Sequence, residues 1–249
     1  RDRSVSRGLG DVYKRQVDFY QGPCLTLAGP GSGKTAVITH RTKNLIEKYG
    51  VSPSEILVVT FTKAAAMEMK ERFLSLTNQT STTATFGTFH AVFFTVLKYA
   101  YHYRAENIIR DEQKVVFIRN LLRHFPIDYE DENECIQTLL SEISGVKNSN
   151  IPIEHYYSSN FPEHTFRDVF MNYQKMLQKN RLIDFDDMLV YTYELFSQRK
   201  DILALWQKKF RYILIDEFQD INGLQYEIIR RLAAPENNLF VVGLSLIHI

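Results

Sequence analysis

The sequence predicts an α/β fold: a parallel sheet flanked by helices, with a mostly helical inserted subdomain. Short, continuously apolar runs at residues 24–27, 56–60, 83–86, 212–215 and 239–242 alternate with stretches of helical periodicity. That is the pattern of strands covered on both faces by crossover helices. A glycine-rich loop joins the first of these runs to the first long helix. Between Phe86 and Tyr212 the strand signal nearly vanishes and helical spacing replaces it.

In chain order, residues 1–16 are basic, glycine-punctuated and without apolar periodicity. They resemble adapter-derived sequence translated onto a shorter reading frame, and a non-native or disordered end is expected there. Cys24-Leu25-Thr26-Leu27 reads as a short buried strand, and the helix that follows, from Ala36 to Tyr49, puts Val37, Ile38, Leu45 and Ile46 near one face. After the strand at residues 56–60, Thr62 is placed to cap a helix running through Lys70. In the middle of the chain Phe166, Val169, Phe170, Tyr173 and Leu177 are spaced as one apolar helix face requires. Breaks at Pro126, Pro152 and Pro162 separate the helices there. The expected organisation is a sheet domain from residues 17–100 and 190–243 around a helical insertion at 101–189. The closing residues 244–249 invite the same reading as the first sixteen, because they replace the continuation that Leu239-Phe240-Val241-Val242-Gly243 leads one to expect.

Bulk properties narrow the class. A chain of 249 residues can bury a sizeable core. Its net charge of +1 casts no vote on nucleic acid, since an electrostatic footprint is a local patch. The two cysteines, Cys24 and Cys135, are far apart and lack metal-ligand or redox spacing, which argues against a disulfide scaffold and suits a reducing compartment. No run reaches the length of a membrane span, so a cytoplasmic protein is expected.

Two segments carry chemistry. Ala28-Gly29-Pro30-Gly31-Ser32-Gly33-Lys34-Thr35 stands between strand and helix. Gly31 and Gly33 permit backbone conformations barred to residues with a Cβ, so several N–H groups converge on one phosphate. Lys34 can reach the β- and γ-phosphates of a nucleotide, and Thr35 can ligate Mg²⁺. The strict form of this pattern opens with Gly where this chain has Ala28. The second segment is Tyr212-Ile213-Leu214-Ile215 running into Asp216-Glu217-Phe218-Gln219-Asp220, with two acids at the end of a strand, where open α/β sheets bind ligands. Asp216 can hold the Mg²⁺ shell and Glu217 can orient or deprotonate an attacking water. For an isolated Asp-Glu pair, a polar strand exit that merely caps the next helix is the better reading; its coupling to the loop at 28–35 favours catalysis.

Ile215-Asp216-Glu217-Phe218-Gln219-Asp220 resembles motif II of the UvrD/PcrA/Rep helicases of superfamily 1. Thr60-Phe61-Thr62-Lys63-Ala64-Ala65-Ala66-Met67-Glu68-Met69 is similar to motif Ia, and Gly87-Thr88-Phe89-His90 to motif Ib. Ile183-Asp184-Phe185-Asp186-Asp187-Met188 is similar to the aspartate-rich segment preceding motif II. The resemblance covers roughly residues 17–243. It implies a P-loop NTPase (RecA-like) motor domain, the first half of a helicase core, with ATP and Mg²⁺ as cofactors. It also implies 3′-to-5′ translocation on single-stranded DNA and duplex junctions, in repair or replication. Motif Ia often has Asn-Lys where this chain has Lys63-Ala64. The family's adenine-reading glutamine falls near Tyr13, and Gln16 is out of register. Motif III and the arginines of later motifs do not follow Gly243, so the chain itself is expected to hydrolyse ATP slowly at best and not to unwind duplex.

In such a motor, bases stack on aromatic rings because stacking tolerates any sequence. Phe61, Thr62, His90 and Phe185 are the expected DNA contacts; Lys63, Lys70 and Arg72 can supply positive charge, though for each alone a solvated helix face is the expected use. Core packing is the competing use of each aromatic. Asp184, Asp186 and Asp187 lack companion ligands, and the resemblance makes their segment a structural return from the insertion. Two alternatives stay open: a helicase–nuclease subunit of the AddA/RecB kind, and a DNA-binding module without activity.

Overall fold

The structure, a computed structural model, describes residues 11–28, 33–125, 127, 129–149 and 151–244. The elements run α1 (Asp11–Val17), β1 (Cys24–Ala28), α2 (Lys34–Glu47), β2 (Ile56–Thr60), α3 (Lys63–Thr77), β3 (Thr85–Thr88) and α4 (Phe89–Tyr101). They continue with α5 (Asp111–Leu122), α6 (Glu132–Ser149), α7 (Glu163–Lys179), α8 (Phe185–Gln198), α9 (Lys200–Lys209), β4 (Tyr212–Ile215), α10 (Gly223–Ala233) and β5 (Leu239–Leu244). The described residues fall into two compact units. One contains the chain up to Val92, Leu195–Ile221 and the chain from Gln225; the other contains Phe93–Glu194 and Asn222–Leu224.

The first unit is built on a five-stranded sheet in the order β1-β5-β4-β2-β3. Every neighbouring pair is parallel, with Leu25 opposite Val241, Ile215 opposite Val241, Val59 opposite Ile215 and Thr60 opposite Thr88. Parallel strands require crossovers, so all five C-terminal ends lie along one edge of the sheet. β2 and β4 are buried at every position, as their unbroken apolar runs require. Val37, Ile38 and Leu45 of α2 pack with Val58, Leu214, Phe240 and Val242 on one face of the sheet. Each such side chain contributes about 1.5–3 kcal/mol over leaving it exposed.

Three expectations change. β1 is not buried on both faces: Thr26 is fully buried, while Leu25 and Leu27 remain 57% and 51% exposed. The reason is position, since β1 ends the sheet and only its Cys24/Thr26 side meets the core. The third strand begins two residues late, at Thr85, because its register is set by pairing of Leu57 with Thr85, and Ala84 serves as a buried lead-in. Residues 11–16, expected to be unpatterned, join Val17 in α1. Val17 is buried there, and the Gln16 carbonyl accepts a hydrogen bond from Nη1 of Arg41 at 3.2 Å. Arg41 is itself buried, its guanidinium 4.4 Å from the Phe240 ring centroid, and burial pushes its pKa down to about 10. At the other end Leu244 closes β5, while residues 1–10 and 245–249 lie outside the described residues.

The second unit is helical. Ile118, Ile136, Leu139 and Ile143 from α5 and α6 meet Phe166, Val169, Tyr173 and Leu177 of α7, the face the sequence spacing predicts. Pro162 precedes the first residue of α7, and Pro152 precedes the short turn Ile153–His155. Pro126 lies outside the described residues. Among the described residues no helix is long and apolar enough to cross a membrane.

Candidate functional site

The ends of β1, β4 and β5 bring the first candidate residues together. Ala28 closes β1, residues 29–32 of the loop lie outside the described residues, and Gly33 caps α2. Gly33 has φ 82° and ψ 29°, and a Cβ built there would meet nothing closer than 3.9 Å. Conformation, not space, therefore demands glycine. It lets Lys34 and Thr35 begin the helix, with their backbone N–H groups at its positive end.

From β4 the ladder continues one residue, as Asp216 N donates to the Val59 carbonyl at 3.0 Å. Glu217 then turns into the left-handed region, φ 51° and ψ 47°, which costs a non-glycine residue of order 1–3 kcal/mol. Its carboxylate is held from two sides. Oε2 accepts from Lys34 Nζ at 2.7 Å and from Gln219 Nε2 at 2.7 Å. Gln219 Nε2 also donates to Asp220 Oδ2 at 3.0 Å.

The two adjacent acids are pushed in opposite directions. Burial and the neighbouring Glu217 charge raise the Asp216 pKa. Burial also works to raise Glu217, but hydrogen bonds from Lys34 and Gln219 outweigh it and hold the group below the usual carboxylate range. Asp216 Oδ1 is buried and has no hydrogen-bond partner among the described residues. A buried, unpaired carboxylate oxygen is costly unless something coordinates it. This donor, with the Thr35 hydroxyl at the start of α2, fits a hard divalent cation such as Mg²⁺.

Phe61 and Thr62 follow β2 directly. Thr62 caps α3, its Oγ1 accepting from Ala65 N at 3.1 Å. The Phe61 ring is half-buried and meets Phe89 edge-on, with centroids 5.5 Å apart. His90 is the second residue of α4 and half-buried. Phe185 is the first residue of α8 and is 48% exposed. It belongs to the helical unit, whereas Phe61, Thr62 and His90 belong to the sheet unit.

The sequence model of the family described as UvrD/REP helicase N-terminal domain matches residues 9–244. The chain belongs to that family. It is 38% identical over 247 residues to the putative ATP-dependent DNA helicase YjcD of Bacillus subtilis, covering 96% of this chain and 32% of that protein. It is 35% identical to the ATP-dependent DNA helicase PcrA of Bacillus subtilis, over 95% of this chain and 32% of PcrA. A probable DNA helicase II homolog of Mycoplasma capricolum is 39% identical, over 94% of this chain and 34% of the homolog. The chain thus spans about a third of the length of these relatives.

Within this UvrD/REP-type chain, several contributors escape sequence reasoning. Gln219 stands in the quoted motif, but its grip on Glu217 follows from the turn at Phe218–Asp220. Gly243 gives Gln219 its room, since a Cβ there would lie 3.2 Å from Gln219 Oε1. Lys147 is a buried lysine on α6 whose partners are Asp184 and Asp187. Its only trace in the sequence is a cation beside an apolar helix face, which names no partner.

Proposed function

We propose that the chain is the ATP-binding motor half of an ATP-dependent DNA helicase or translocase. In this reading it moves 3′-to-5′ on single-stranded DNA and duplex junctions, in repair or replication, in the cytoplasm. The reading rests above all on one arrangement: Lys34 on Glu217 beside the unpaired Oδ1 of Asp216, all at the C-terminal edge of a parallel sheet. Family membership and the DNA helicase names of the relatives support it.

The roles follow from chemistry. The loop from Ala28 through Gly29, Pro30, Gly31, Ser32 and Gly33 to Lys34 and Thr35 surrounds the phosphates, with Lys34 on the β- and γ-phosphates. Thr35 and Asp216 would hold Mg²⁺, which when bound supplies charge neutralisation for the phosphate oxygens. Glu217, kept ionised by Lys34 and Gln219, accepts a proton from the attacking water. A nucleotide competes with Glu217 for the Lys34 ammonium, so its arrival frees the carboxylate for that task. Phe61 and His90 offer ring faces to bases, Thr62 a hydroxyl to a phosphate, and Phe185 a further stacking surface.

The test is nucleotide binding and ATP hydrolysis with and without single-stranded DNA. Lys34→Ala abolishes binding. Glu217→Gln binds Mg-nucleotide at least as tightly, because Lys34 is no longer held by a carboxylate, yet loses turnover. Equal loss of binding in both variants overturns the assignment.

A further inference from the structure

Phe185 is flanked by Asp184, Asp186 and Asp187, a local charge that repels a polyanion. In the structure all three acids are tied into the helical unit, with α6 supplying the central ties. Lys147 Nζ contacts Asp184 Oδ2 at 2.6 Å and Asp187 Oδ1 at 2.8 Å, with the lysine side chain 2% exposed. Tyr173 OH donates to Asp184 Oδ2 at 3.2 Å. Asp184 and Asp187 also cap each other's backbone, Asp187 N to Asp184 Oδ1 at 2.8 Å and Asp184 N to Asp187 Oδ2 at 3.1 Å. Asn148 Nδ2 donates to Asp186 Oδ1 at 2.7 Å, and Asn222 Nδ2 donates to Asn148 Oδ1 at 2.9 Å. That last bond fixes which end of the Asn148 amide faces the acid.

The consequence is a sorting of one four-residue segment. Its carboxylates are neutralised or hydrogen-bonded within the unit, while its aromatic ring stays 48% exposed with Lys114 Nζ 5.9 Å from its centroid. A ring beside a cation is the combination that takes a base and its phosphate.

We propose that Lys147 and Asn148 are positioning residues for single-stranded DNA at Phe185. They touch no strand themselves; they hold the flanking acids away from it and fix the start of α8 so that the ring is presented. This rests on the reading that Phe185 stacks on DNA.

The experiment is anisotropy titration of a labelled oligo-dT with the 249-residue chain, at several salt concentrations. Phe185→Ala weakens binding about tenfold, the cost of one lost stack. Asn148→Ala weakens it by a similar factor, and the double variant is no worse than Phe185→Ala alone. The loss in Asn148→Ala narrows as salt rises, because the released Asp186 carboxylate acts on the strand through a repulsion that salt screens. Lys147→Arg retains affinity where Lys147→Met loses it; circular dichroism identifies any variant that fails to fold, and the Asn148 cycle stands independently of these two. If Phe185→Ala leaves affinity unchanged, both the stacking reading and the positioning role fall. If Phe185→Ala weakens binding while Asn148→Ala does not, or the two losses add, the stacking reading survives and the positioning role is overturned.

Discussion

Gly243 and Gln219 illustrate what a single residue does at this site. Gly243 on β5 leaves room for the Gln219 amide that holds Glu217, since a Cβ there would stand 3.2 Å from Gln219 Oε1 and the amide would have to give by a few tenths of an ångström. Gly243→Ala therefore displaces Gln219 and loosens Glu217, so kcat for ATP falls several-fold while Mg-nucleotide affinity stays within about twofold; steady-state kinetics and equilibrium titration separate the two. His40 on α2 makes a different prediction. Burial, and then the nearby Lys43 charge, lower its pKa in the fold, whereas the unfolded chain titrates near 6.5. Below that pH the unfolded state takes up a proton that the folded state refuses, so stability falls as pH drops through about 6.5 and levels off below the folded pKa. Urea midpoints measured from pH 7.5 to 5 decline less steeply in His40→Gln; an unchanged slope contradicts this. Lys34, Asp216 and Glu217 were legible as candidates because their spacing is local and their chemistry distinctive. The Gln219–Gly243 contact was not, because it exists only once β5 is known to lie beside β4 and its following turn.

The sequence reads well where an element's pattern and its surroundings agree. β2 and β4 begin and end where their apolar runs do, since both are interior strands buried at every position. β1 has the same kind of run but ends the sheet, and sheet order is a long-range property that no window of residues contains. Its open face has a consequence. Leu25 and Leu27 are more than half exposed on a terminal strand, an arrangement that promotes association between copies. Light scattering of the 249-residue chain is expected to show concentration-dependent self-association, which Leu25→Lys with Leu27→Lys suppresses with little change in the unfolding midpoint; undiminished association in that variant rejects the argument. α3 is the converse case, an element whose start was readable from one side chain. Thr62 accepts from Ala65 N as an N-cap, so Thr62→Ala costs about 1 kcal/mol in urea unfolding and Thr62→Ser recovers most of it.

For the molecule as a whole, the two units carry separate hydrophobic cores, one around α2 and the sheet and one around α5, α6 and α7. Leu139 is fully buried in the helical core, and Leu139→Ala removes three heavy atoms' worth of packing there without touching a residue of the nucleotide site. Such truncations cost about 2–5 kcal/mol, the spread reflecting how far the cavity collapses. A ligand that binds only the folded form of one unit stabilises that unit by mass action, about 2.7 kcal/mol at a hundredfold excess over Kd. Calorimetry of Leu139→Ala therefore shows the loss in the part of the transition that Mg-nucleotide does not raise, while the Kd for Mg-nucleotide remains that of the parent. A single transition that shifts as one body with nucleotide in both proteins, or a weakened Kd in the variant, would mean that the two cores fold as one. The insertion would then be a structural prerequisite of the phosphate loop, and its helices would have to be counted among the elements that build the nucleotide site.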